Sequence, residues 1–161
     1  MILQKEFEIS GYKDILIENI ASECEIDLND IFDINQKPEE LLSIFISEKR
    51  DELFFLLNGD LMDINDLCDC WDNRIRVFTI INGQTKVFHK LKYNIVQLIV
   101  CSGDIPDKSR EGNLYISRKI IIKGNMTETA NTVINNCLQN IYDANYKNTR
   151  VTVDVNPNSM I

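Results

Sequence analysis

The sequence predicts an α+β fold, in which residues 1–161 form a single globular domain. We expect a mainly antiparallel sheet of four to five strands packed with three to four helices. The chain has 161 residues, of which 44% are hydrophobic and 26% charged, so it can bury one core and disorder is not expected. It has only three prolines, six glycines and no serine- or glycine-rich linker, so no domain boundary is visible. The strand and helix signals do not alternate as in a doubly wound parallel sheet.

The N-terminal half contains signals for both helices and strands. Ser10 and Gly11 are expected to cap a helix that runs to about Cys24, with apolar residues at helical spacing. Residues 38–47 fit two interpretations, a helix that begins at Pro38 or a strand that returns through 53–57, because a short apolar run is compatible with both. Asp63 is placed to cap a short helix through Trp71.

The C-terminal half contains the strongest hairpin signal. Asn82-Gly83 separates residues 74–81 from residues 84–91, and this dipeptide favours a type I′ turn between two strands. Residues 91–101 read as a buried strand, although periodicity leaves a helix open, and residues 114–123 read as another strand. A final helix is expected after Gly124, with an apolar stripe reaching Ile141. Beyond about Arg150 we expect an edge strand and then a tail whose last few residues could be flexible.

Charge is distributed unevenly along the chain. Residues 1–72 contain nineteen acidic and five basic residues, a net charge of −14. Residues 73–123 contain ten basic and three acidic residues, a net charge of +7. Such asymmetry indicates either partner surfaces of opposite sign or ion pairs between the two regions. In particular, an inward-facing Arg118 on the strand 114–123 would need an acidic partner from the N-terminal region.

No catalytic or metal-binding motif accompanies this charge pattern, so we expect no enzyme activity, no catalytic residues, no cofactor and no metal. His89 is the only histidine, and the five cysteines are scattered, which suits neither a zinc site nor a disulfide framework. Glu111 is not followed two residues later by the lysine that a restriction-type nuclease needs. The chain also lacks a glycine-rich phosphate loop followed by lysine. Without a signal peptide or a long apolar run, it is predicted to be cytoplasmic and not to contact membranes.

Three short segments together resemble a known family. They are Arg74-Ile75-Arg76, the segment KLKYNIVQ at 90–97, and a loop leading through Glu111 to ISRKI at 116–120. In this combination, residues 40–123 are similar to the small middle component of bacterial ABC-three-component systems, whose operons join an SMC-like ABC ATPase, an effector and a connecting protein. Lamassu-type anti-phage systems have a similar layout. The resemblance implies a non-catalytic adaptor that couples DNA sensing to the effector.

The leading hypothesis is therefore an adaptor subunit that links an SMC-like ABC ATPase to an effector in an antiviral defence complex. A weak or indirect contact with DNA is an optional addition to this role. The alternative is a stand-alone acidic immunity or antitoxin-type protein that neutralises a basic partner through residues 1–72. The candidate interface residues are Arg74, Arg76, Lys90, Lys92, Tyr93, Asn94, Arg118 and Lys119.

Overall fold

The chain folds around a five-stranded mixed sheet in a computed structural model. The structure describes residues 2–16, 23–29, 31, 36–104 and 108–124. Its elements, in chain order, are α1 (Ile2–Ile9), β1 (Lys13–Asp14), β2 (Leu41–Ile46), β3 (Leu53–Asn58), α2 (Ile64–Asn82), α3 (Lys86–Leu91), β4 (Ile95–Cys101), a 3-10 turn (Ser109–Gly112) and β5 (Arg118–Lys123). No helix in these described ranges is both long and apolar enough to cross a membrane.

The strands lie in the order β1-β2-β3-β4-β5, which confirms the predicted α+β class and a sheet of five strands. The pairs β1–β2 and β2–β3 are antiparallel, whereas β3–β4 and β4–β5 are parallel, so the sheet is mixed. The β3–β4 pair is parallel because α2 and α3 carry the chain back to the starting edge of the sheet before β4 begins. The prediction of a mainly antiparallel sheet therefore holds for only two of the four strand pairs.

The predicted hairpin at Asn82-Gly83 is also wrong, because this segment is helical. Helix α2 begins at the predicted cap Asp63 but continues through Asn82, and α3 follows after three residues. Trp71, Ile75 and Phe78 recur at helical spacing, and all three are fully buried. The Asn82 side chain is buried too, where it accepts a hydrogen bond from the Asp27 amide and donates to the Phe78 carbonyl. Helix burial thus outweighs the local preference for a turn.

The other predicted elements differ mainly in their boundaries. Helix α1 ends before Ser10, and Gly11 (φ +91°) turns the chain into β1, so the helix predicted from Ser10 is wrong over residues 10–16. Residues 41–46 form a strand, which decides the ambiguity at 38–47. The strand predicted at 91–101 is confirmed but begins at Ile95, and that predicted at 114–123 begins at Arg118. The expected final helix and edge strand lie beyond residue 124, outside the described residues.

Both faces of the sheet are apolar, so the central strands are buried on both sides. On one face, Phe55 of β3 packs against Trp71 and Phe78 of α2. On the other face, Phe7 of α1 stacks on Phe45 with ring centroids 4.5 Å apart. All seven residues of β4 are buried, as is typical of a parallel strand at the centre of a sheet. Side chains that reach solvent beside β4 therefore lie in the residues that flank the strand, not on the strand itself.

Candidate binding pocket

A cavity of about 440 Å³ opens at the amino ends of β4 and β5, and we call it the β4–β5 pocket. It is lined by Glu52, Lys92, Tyr93, Asn94, Ile95, Val96, Leu114, Ile116, Ser117 and Arg118. Four of the eight predicted interface residues, from two segments far apart in the sequence, thus meet at one site: Lys92, Tyr93, Asn94 and Arg118. The fold brings them together because β4 and β5 are parallel neighbours that begin at the same edge of the sheet.

The first side of the pocket is the short connection between α3 and β4. The Asn94 amide donates to the Leu91 carbonyl at 2.9 Å, and its own carbonyl accepts from the Leu53 amide at 3.0 Å, so the connection is fixed at both ends. Lys92 is exposed, and its Nζ lies 4.9 Å from the ring centroid of Tyr93. Tyr93 itself is 80% exposed, which is unusual for a large aromatic side chain and favours contact with another molecule.

The charged groups of the pocket are two cations and one carboxylate. Burial lowers the pKa of the half-buried Arg118 guanidinium, and the Glu52 carboxylate acts in the opposite direction. Glu52 is itself held by the Tyr12 hydroxyl, which donates to its Oε2 at 2.6 Å. With Lys92 added, the described residues of the lining comprise two cations and one carboxylate. The exposed Lys92 is a cation that a carboxylate of another molecule could bind.

The opposite wall of the pocket, residues 113–117, is held from behind by Lys119. The Lys119 side chain is fully buried, and its Nζ donates to the carbonyls of Asn113, Tyr115 and Ser117 at 3.2, 3.0 and 3.1 Å. Within this wall, Ile116 has φ +69°, a left-handed conformation that a β-branched residue rarely adopts. Strained residues of this kind persist only where surrounding contacts fix them, and they cluster at functional sites. The three bonds from Lys119 provide such contacts.

The Lys119 ammonium is balanced by Asp72 of α2, whose Oδ1 lies 2.9 Å away. Gln97 donates to the same Oδ1 at 2.8 Å and to the Ser117 hydroxyl at 2.9 Å, so the network is buried between α2 and the sheet. Arg118 was expected to need an acidic partner from residues 1–72, and Glu52 of that region does act on the half-buried Arg118. The cation of this strand that is fully buried is Lys119, which is 1% exposed, so its prediction as an interface residue is wrong.

The remaining predicted interface residues lie outside the pocket. Arg74 is half-buried, lies 5.5 Å above the Trp71 ring and donates to the Ile31 carbonyl at 3.1 Å, so it stabilises the fold. Arg76 on α2 and Lys90 on α3 are exposed to solvent.

Two residues that line the pocket were not predicted as site residues: Glu52 and Leu114, which is 57% exposed. Tyr115 is 72% exposed in the neighbouring segment, but it does not line the pocket. The only signal in the sequence was the position of large apolar residues beside arginine and lysine at the boundary of a predicted strand. Because alternate residues of a strand face inward, periodicity alone did not show which of these residues would be exposed.

The acidic residues between Asp60 and Asp72 are largely used within the fold. Asp63 caps α2 by accepting from the amides of Asn65 and Asp66, and Asp60 accepts from the Ser102 amide. Asp69 accepts from Arg110 at 2.6 Å, and this hydrogen bond raises the pKa of the arginine. Across the described ranges, no three histidine, cysteine or acidic residues are placed to share a metal ion.

Comparisons of the chain with protein-family models, with curated proteins and with solved structures found no significant match.

Proposed function

We propose that this chain is a non-catalytic adaptor subunit that links an SMC-like ABC ATPase to an effector in a bacterial anti-phage defence complex. The observation that carries the proposal is the construction of the β4–β5 pocket. An exposed aromatic ring and two cations surround it, and a buried lysine network holds its strained wall. The short segments that resemble the middle component of ABC-three-component systems include this region, because both 90–97 and 116–120 contribute to the pocket.

The chemistry of the polar residues supports binding more than catalysis. Lys119, Asp72 and Gln97 form an ion pair and a hydrogen bond with one another in the interior of the protein. A catalytic acid or base must reach a substrate, whereas a buried and saturated lysine can only hold structure. The groups that do reach solvent at the pocket are Lys92, Tyr93 and Arg118. Tyrosine and arginine are enriched among residues that dominate binding at protein interfaces.

The alternative, an acidic immunity or antitoxin-type protein, would bind a basic partner through residues 1–72. Several of the acidic residues in this region already have internal partners. Glu40 accepts from the Trp71 indole, and Asp69 and Asp72 pair with Arg110 and Lys119. This leaves less free negative charge for a partner than the sequence total suggests, which favours the adaptor proposal.

Co-purification tests the adaptor proposal. The tagged chain is co-expressed with the products of its two flanking genes and isolated, and the eluate is analysed by size-exclusion chromatography and mass spectrometry. We expect an SMC-like ATPase and an effector to co-elute with the chain. A monomeric chain, from a locus without an SMC-like ATPase gene, would refute the proposal. Capture of a single basic toxin that dissociates readily with added salt would support the alternative.

A further inference from the structure

We infer that the β4–β5 pocket binds an acidic peptide segment of a partner protein. One carboxylate of that segment binds Lys92 and Arg118, and an adjacent apolar side chain packs on Tyr93 and Leu114. The inference deepens the proposed function and rests on it for the presence of a partner. What it adds is the chemistry by which the partner is recognised.

The cations that line the pocket are complementary to a carboxylate. Lys92 and Arg118 line the same cavity, and Glu52 is the one acidic residue among the described residues of its lining. Hydrogen bonds between a cation and a carboxylate are roughly twice as strong as neutral ones. Glu52 accepts a hydrogen bond from the Tyr12 hydroxyl, and the exposed Lys92 gives the described lining a cation that a ligand carboxylate can reach.

The pocket also exposes apolar side chains to solvent. Tyr93 is 80% and Leu114 57% exposed, and both line the same cavity. An apolar side chain inserted between them would remove apolar surface on both from water. The wall that carries Leu114 is fixed from behind by Lys119, so little conformational freedom is lost when a ligand binds. The pocket is therefore pre-organised for a mixed acidic and apolar segment.

A nucleic acid suits this surface less well than a peptide. Binding to DNA depends on several lysine and arginine residues that each neutralise a phosphate. The pocket offers two cations beside one carboxylate, on a chain with a net charge of −8. That field repels a polyanion, whereas a short segment with a single carboxylate can enter the pocket.

Two matched pairs of variants test the inference. Lys92→Glu reverses a charge in the pocket, and Lys90→Glu reverses an exposed charge two residues away that does not line it. Tyr93→Ala removes the exposed ring of the pocket, and Tyr115→Ala removes a similarly exposed ring outside the lining. The probes are two pools of short fluorescent peptides, identical except that a central glutamate next to leucine in one is glutamine in the other. A short DNA duplex is the third probe, and anisotropy gives the dissociation constants.

We expect the wild-type chain to bind the glutamate pool more tightly than the glutamine pool. Lys92→Glu should weaken binding of the glutamate pool at least about tenfold, because it replaces a charge that attracts the glutamate with one that repels it. Tyr93→Ala should also weaken it, whereas Lys90→Glu and Tyr115→Ala should change it by less than about threefold. Thermal unfolding of each variant shows that the fold is retained.

Equal affinity for the two pools, no binding of either pool, or equal effects of Lys92→Glu and Lys90→Glu would overturn the inference. DNA binding that is lost in Lys92→Glu, without peptide binding, would overturn it in favour of a nucleic-acid site.

The same variants in the co-purification assay separate the adaptor proposal from the pocket inference. If the ATPase still co-elutes with Lys92→Glu as it does with Lys90→Glu, the adaptor role stands and the pocket inference fails. If the pocket binds the glutamate pool but no flanking gene product co-elutes, the adaptor role fails and the pocket inference stands.

Discussion

Replacing Lys119 with methionine removes an ammonium that the folded protein encloses completely. The methionine keeps most of the length and packing of the lysine stem, so the change isolates the charge and its hydrogen bonds. Asp72 loses its ion-pair partner at 2.9 Å, and three carbonyls of residues 113–117 lose their donor. Asp72 and the three carbonyls are then buried with fewer interactions to replace the hydrogen bonds that they make with water in the unfolded chain.

The expected cost follows from the burial of the groups left behind. Removing one partner of a buried ion pair typically costs about 3 to 5 kcal/mol, because the other charge remains uncompensated. The Asp72 side chain retains 15% of its exposure, a bond from Gln97 at 2.8 Å and an ion pair with Arg110 at 3.9 Å, which places the expected loss near the lower end, at about 3 kcal/mol. Such a loss is a large share of the total stability of a single domain.

Equilibrium unfolding in urea, followed by fluorescence of the single tryptophan, Trp71, measures the loss. The control is Lys123→Met on the same strand, whose side chain is 54% exposed and lies 3.8 Å from Asp104. An exposed pair of this kind contributes less than about 1 kcal/mol. If Lys119→Met lowers the free energy of unfolding no more than Lys123→Met does, the network does not stabilise the fold and the reasoning is refuted. Faster amide exchange at residues 113–117 in Lys119→Met is expected as well, because the wall is then no longer held.

Three further substitutions are expected to change stability in urea unfolding. Gly59→Ala should destabilise by about 1 to 3 kcal/mol, because its Cβ would lie 2.6 Å from the Cys101 sulfur; a neutral effect would show that the contact relaxes freely. Asp63→Ala should lower the free energy of unfolding by about 1 kcal/mol through loss of the α2 cap, whereas Asp63→Asn should retain most of the stability that the cap provides. Equal losses in the two variants would contradict a capping role. Arg50→Gly should stabilise by about 0.5 to 1 kcal/mol, because Arg50 has φ +55° in the β2–β3 turn; a loss would show that its side-chain contacts outweigh the strain.

Local patterns in the sequence predicted part of the sheet. The apolar runs that became β4 and β5, and the cap at Asp63, depend on neighbouring residues only, so they can be recognised without the fold. The runs that became β2 and β3 fitted a strand pair, but a helix at 38–47 fitted equally well. The hairpin at Asn82-Gly83 could not be excluded in this way. Asn82 bonds to Asp27, 55 residues away, and no local pattern reveals that contact.

The pocket was predictable only in part. The KLKYN segment and Arg118 were identified from charge and residue type, and the parallel arrangement of β4 and β5 makes them neighbours. No local pattern indicates that β4 and β5 are parallel neighbours, because strand order depends on residues far apart in the sequence. Before that order is known, Lys92 and Arg118 are two cations on separate segments.

The sequence by itself determined the α+β class, the approximate positions of β4 and β5, and the need for a buried cation on β5 to find an acidic partner. The strand positions follow from periodicity, and the need for an acidic partner follows from the cost of burying a charge. Neither depends on where in the fold the residues lie. Only the tertiary structure decided which cation is buried. Residues 118 and 119 point to opposite faces of β5, and α2 places Asp72 on the face of Lys119. Lys119 therefore holds the wall, and Arg118 is left to line the pocket.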